Sequence, residues 1–102
     1  MIEKDSLPRA IICAYDNIAI GAMRCLFDHG FSVPDDVALI GFDNHKGASY
    51  TVPSLSSVDM MHSQCAEVLV NTVINHILSK PNDTQKVIKS VLRWRESSVI
   101  RE

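Results

Sequence analysis

The stretch Val37–Asn44, VALIGFDN, decides the fold. Four apolar residues in succession, Val37, Ala38, Leu39 and Ile40, suit a strand buried on both faces, the usual condition inside a parallel sheet. The run passes Gly41 and Phe42 and stops at Asp43-Asn44, two residues that favour turns. In open α/β sheets, ligands bind just beyond the carboxyl ends of the strands. Asp43 therefore stands where a polar ligand group would be read.

Upstream, Ala10–Ala14 (AIICA) reads as a first buried strand that ends at Tyr15-Asp16-Asn17. Asp16 or Asn17 is the expected N-cap of a helix running to about His29. Ala19, Ala22, Met23, Leu26 and Phe27 fall on one face of that helix at helical spacing. Gly30 suits the C′ position that ends it, and Phe31–Asp36 is a loop broken by Pro34. Strand, helix and strand with short loops make a βαβ unit with a right-handed crossover. Such a unit brings Ala14–Asn17 and Asp43-Asn44 to the same edge of the sheet.

Downstream, His45–Pro53 is an irregular loop and Leu55–Asp59 a short extended piece. Met61–Leu78 is a second helix: Met61, Cys65, Leu69, Val73 and Ile77 step by four, with Ala66, Val70 and Ile74 beside them. Pro81-Asn82-Asp83 turns the chain. Val87–Trp94 is extended and mixed in character, with Ile88, Leu92 and Trp94 on one face. Two long strands and a few short pieces make a thin sheet for two amphipathic helices. The pattern points to part of a larger α/β domain, a parallel sheet flanked by helices.

Composition excludes several classes. With 102 residues, 46% hydrophobic and 22% charged, the chain is an ordinary globular domain. Its net charge is −2 and it has no basic stripe, which argues against this chain itself gripping a DNA backbone. The three cysteines, Cys13, Cys25 and Cys65, form no C-x-x-C pair, and their apolar neighbours suggest reduced, buried thiols in the cytoplasm. The opening MIEKDSLP is charged where a signal peptide is apolar. No apolar run approaches the roughly 20 residues of a membrane span.

The polar residues form few reactive constellations. Asp16 and Asp43 are paired carboxylates at neighbouring strand ends, where acid–base work is conceivable. No His, Cys or Lys is placed to complete a catalytic set, so capping and ligand binding are the favoured roles. His29, His45, His62 and His76 have no compact metal spacing. G-x-S-x-G, G-x-G-x-x-G and the Walker loop are all absent. The expectation is a protein that is not an enzyme and holds no metal or cofactor. Ala22–Ser32 superficially looks like a helix-turn-helix, but Pro34-Asp35-Asp36 and a buried strand follow where a recognition helix would stand. Trp94 is open to two readings, core or rim residue on the one hand and a platform for a sugar on the other.

Taken together, AIICAYDNIAIGAMRCLFDHGFSVPDDVALIGFDN resembles the C-terminal part of the lactose-repressor/galactose-repressor (LacI/GalR) family of bacterial transcription regulators. The similarity continues through Tyr50, Thr51, Pro53, Leu55-Ser56-Ser57-Val58 and the closing Leu92-Arg93-Trp94-Arg95-Glu96-Ser97. The resemblance implies a two-lobed core of the type I periplasmic-binding-protein kind. A small effector, a sugar or nucleoside, would bind between the lobes. Operator DNA would be bound only through a headpiece absent from this chain. Residues 9–58 would form the C-terminal lobe, 58–60 a crossover, 61–91 a helix of the N-terminal lobe and its return, and 92–102 the C-terminal segment.

The resemblance also assigns sites. Asp43, the acid of the family's G-[FY]-D motif, would contact the effector, with Tyr15, Asp16 and Asn44 beside it. Tyr15 departs from the family pattern, which carries Asn in an A-N-D motif. Ile18, Ala22, Cys25, Ala48, Ser49, Thr51 and Val52 would form the surface of a homodimer. A fragment of a periplasmic sugar-binding protein, which shares the core fold, is the alternative.

Overall fold

A computed structural model describes residues 4–81 and 86–99. Four strands form one sheet in the order β1-β2-β3-β4: β1 Ala10–Ile12, β2 Ala38–Phe42, β3 Ser56–Asp59 and β4 Val91–Arg93. β1, β2 and β3 are parallel, and β4 returns antiparallel on β3. Helix α1, Asp16–Asp28, links β1 to β2, and helix α2, His62–Ile77, lies between β3 and β4. The expected βαβ unit is present, and Lys46–Ser49 adds a 3₁₀ turn in the loop after β2. Asn82 and Asp83 of the expected turn lie outside the described residues, as do residues 100–102 of the C-terminal segment.

The core lies between α1 and the sheet. Ala19, Met23 and Leu26 of α1 meet Val37 and Leu39, with Cys13, Ala48 and Leu55 completing the cluster. Central β2 is buried because it has strands on both sides. β1 is the edge strand here, so Ala10 and Ile12 are exposed, contrary to the expected buried strand. Phe27 also departs from the pattern: it falls at core-face spacing yet is 71% exposed. Cys13 is buried and burial pushes its thiol pKa up, whereas Cys25 is exposed, so the three thiols do not share an apolar setting.

α1 is capped differently from the expectation. Tyr15 is the N-cap, with no side-chain cap bond, and Asp16 is the first helical residue. At the other end Gly30 takes φ 82°, the left-handed geometry that stops a helix without a Cβ clash.

α2 stands apart. It has no buried residue, and Leu69, Val70, Val73, Ile74 and Ile77 are all exposed. The chain measures 59 × 27 × 25 Å with a radius of gyration of 18.3 Å. A compact chain of this length would have about 13 Å. An amphipathic helix gains most of its stability from packing its apolar face, so this stripe is a surface built for a cover.

Candidate effector site

Three strand ends converge at one edge of the sheet. The register Ile12↔Ile40 sets the turn after β1 beside the turn after β2. The register Phe42↔Val58 sets Asp43 beside the end of β3. Two consecutive non-glycine residues there have positive φ, Asp43 at 112° and Asn44 at 52°. Asp and Asn tolerate this region better than other residues, but such backbone still costs on the order of 1–3 kcal/mol and gathers at functional sites. The Asp43 N–H donates to Val58 O at 2.9 Å, which fixes the turn to β3.

Beneath the turn lies a buried tie. Asp16 is 2% exposed. Its Oδ2 accepts from the His45 N–H at 2.6 Å and its Oδ1 accepts from the Ser57 hydroxyl at 2.6 Å. The carboxylate thus joins the start of α1, the loop after β2 and strand β3. Gly41 is required here: a Cβ would collide with Oδ1 of Asp16 and stand 3.1 Å from its Cα. Both Asp16 oxygens are engaged and away from solvent, so Asp16 supports the edge from below and does not face a ligand.

Asn44 is likewise engaged within the chain. Its Oδ1 accepts from Arg95 Nη2 at 2.7 Å and its Nδ2 donates to Asp59 Oδ2 at 3.3 Å. Its N–H donates to Ser57 Oγ at 2.9 Å. Asp59 also accepts from the Met61 N–H at 2.9 Å and from Arg93 Nη2 at 3.2 Å. The Met61 N–H holds the Asp59 carboxyl below its usual range, opposed in part by burial and aided by the Arg93 guanidinium and the Asn44 amide.

Asp43 is about half exposed at this edge, with Tyr15 exposed at the neighbouring strand end. Asp43 Oδ1 is met by Nε2 of His62, the first residue of α2. His62 joins the site residues here, 19 residues beyond Asp43 in sequence. The residues around His62 in sequence give no signal of this; its placement depends on Met61, whose φ of 55° turns the chain into α2. Among the described residues no cluster of three or more metal-ligating side chains occurs, and no helix is long and apolar enough to cross a membrane.

The residues expected at a homodimer surface divide. Thr51 and Val52 line a groove of about 510 Å³ with Ile20, Met23, Arg24 and Phe27 of α1. Ile18, Ala22 and Cys25 do not line it, because they step along another face of the helix. Ala48 is fully buried in the core and offers nothing to a partner, while Ser49 is exposed.

Three parallel strands and one antiparallel strand, with α1 on one side and a polar, strained edge where β1, β2 and β3 end, define an α/β lobe. Residues 1–98 match the periplasmic binding protein-like domain, and the chain belongs to the LacI/GalR family of regulators that carry it. It is 30% identical over 87 residues, 85% of the chain, to the transcriptional repressor PurR of Escherichia coli O1:K1. It is 36% identical over 74 residues, 72% of the chain, to the transcriptional regulator AscG of E. coli K12. The crystal structure of the E. coli repressor AscG superposes with a TM-score of 0.84 at 31% identity, covering 94% of this chain and 35% of that one. The CelR–cellobiose complex superposes at 0.81 with 26% identity over 88% of this chain and 28% of that one. The chain spans 26% of the PurR relative and 22% of the AscG relative.

Proposed function

We propose that this chain is the effector-sensing and dimerisation portion of a LacI/GalR-type transcriptional regulator of the cytoplasm. A sugar or nucleoside binds between two lobes and shifts the affinity of a separate headpiece for operator DNA. Residues 9–58 belong to the C-terminal lobe, 58–60 to the crossover and 61–91 to the N-terminal lobe. The observation that carries this reading is the contact between Asp43 and His62. It joins residues on either side of the crossover, at the one edge where β1, β2 and β3 all end. An effector hydroxyl or amine offered to Asp43 therefore touches both lobes, and a ligand with different contacts in two lobe arrangements shifts their balance.

The role read for Asp43 and His62 is binding, in keeping with relatives that are transcriptional repressors. That the relatives are repressors favours the regulator over a periplasmic binding protein. The bare α2 stripe suits a helix whose cover is the rest of the N-terminal lobe. The test is a thermal-shift screen of the full-length regulator against sugars and nucleosides. At a hundredfold excess over Kd a true effector adds about 2.7 kcal/mol of stability, and D43N removes the response. A screen in which no compound stabilises the wild type, or in which D43N responds like the wild type, overturns the reading.

A further inference from the structure

Asn44 directly follows Asp43 and bonds to three separate parts of the chain. Its N–H donates to Ser57 Oγ in β3. Its side-chain oxygen accepts from Arg95, in the segment after β4, at 2.7 Å. Its side-chain amide donates to Asp59, the last residue of β3, at 3.3 Å. The chain leaves the sheet for α2 just after Asp59 and comes back through β4 to Arg95. Asn44 is therefore bonded to both the outgoing and the returning pass of the chain, next to the carboxylate at the effector edge.

The two side-chain arms differ in stiffness. Arg95 is clamped on the sheet: its N–H donates to Ser56 Oγ at 2.7 Å and its Nη1 to Leu55 O at 2.8 Å. Two residues on, the buried Ser97 hydroxyl donates to Leu39 O at 2.6 Å. The Asn44–Arg95 bond also has a charged donor, which shortens and strengthens it. Asp59 is shared, accepting from the Met61 N–H at 2.9 Å and from Arg93 as well as from Asn44. A bond of 3.3 Å lies past the usual range for N–H···O, so the Asp59 arm is the one that yields. Asparagine supplies one acceptor and one donor on a short planar amide, and it tolerates the φ of 52° found here.

We propose that Asn44 couples the arrangement of the crossover to the Asp43 turn. The Arg95 arm anchors the turn to the sheet, and the Asp59 arm makes or breaks as the crossover moves. Asn44 is thus a positioning residue that acts on an effector through Asp43. The proposal rests on the reading of Asp43 as the effector acid and of residues 58–60 as the crossover, and deepens it.

The test is hydrogen–deuterium exchange of the full-length protein without ligand, followed by mass spectrometry over residues 42–45 and 59–62. N44D keeps the side chain's shape and the acceptor for Arg95 but sets a carboxylate against Asp59. The expected result is exchange about tenfold faster in both segments, with the core segment 19–26 unchanged. A residue that merely filled space would leave N44D like the wild type, and that result overturns the proposal. Equal acceleration of the core segment means global loosening and overturns it too. D59A removes the same arm from the other side. It should speed exchange at 42–45 severalfold in the wild type and add nothing in N44A, or in N44D should N44A fail to fold. An equal D59A effect in both backgrounds routes the signal through the β2–β3 backbone, where the Asp43 N–H meets Val58 O, and refutes the role of Asn44. Because no ligand is present, a silent thermal-shift screen counts against the effector reading alone, and unchanged exchange counts against the coupling alone.

Discussion

The carboxylate of Asp16 accepts a 2.6 Å hydrogen bond from the hydroxyl of Ser57, 41 residues away in sequence and fully buried with it. Together with the His45 N–H on the other oxygen, this bond fastens the first helix to the third strand under the ligand edge. Hydrogen bonds to a buried charge are worth about 1.5–3 kcal/mol each. Chemical denaturation of D16A is expected to show a loss of about 3 kcal/mol, and S57A a smaller one. The two variants share one bond, so a double-mutant cycle should give a coupling of about 1–2 kcal/mol. Strict additivity would show that the tie carries no energy.

Gly41 leaves the space that Asp16 fills. A Cβ there meets the carboxylate and, at 3.1 Å, the Cα of Asp16, which is backbone and cannot swing aside. G41A is expected to destabilise by about 1–3 kcal/mol, the range for forced overpacking. The penalty should shrink, without vanishing, in a D16A background. Equal penalties in the two backgrounds would mean that the carboxylate is not what crowds the site.

Asp59 makes the acid side of the stability curve informative. The Met61 N–H and the Arg93 guanidinium lower its folded-state pKa from the ordinary 3.8. A carboxyl depressed on folding contributes stability that is present above its unfolded pKa and lost as pH falls through the folded value. Unfolding measured between pH 5 and the onset of acid denaturation should therefore lose stability below about pH 4. D59N should flatten that limb and leave the neutral-pH slope alone. An unchanged acid limb in D59N would remove Asp59 from the account.

The α1 groove predicts how copies associate. Phe27 is 71% and Val52 94% exposed, and both line the groove with Ile20, Met23 and Thr51. Apolar side chains this exposed in one patch mark an interaction surface. In sedimentation at tens of micromolar the full-length regulator should be dimeric, and F27E or V52E should shift it towards monomer. A substitution at Cys25, which does not line the groove, should leave the dimer intact. The reverse pattern would return the interface to the Ile18, Ala22 and Cys25 face.

Much of this molecule is written locally. The apolar run from Val37 to Ile40, the α1 core positions Ala19, Met23 and Leu26, and the stop at Gly30 depend on side-chain type and period alone. These positions were legible as strand, helix and turn. So was the location of Asp43 at a strand end, because chain order and parallel pairing decide which loops share an edge.

Tertiary structure decided which polar groups at that edge are free. Asp16 is an acid at a helix start and reads as a cap, yet its carboxylate crosses to Ser57 and His45. Asn44 sits next to Asp43 but is consumed by Arg95 and Asp59. His62 reaches Asp43 from 19 residues away through a left-handed turn at Met61. Hydrogen-bond partners of this kind are set by strand register and by residues tens of positions apart, and no local pattern encodes them. Strand and helix follow from neighbours in the chain; the partner a carboxylate keeps follows from neighbours in space.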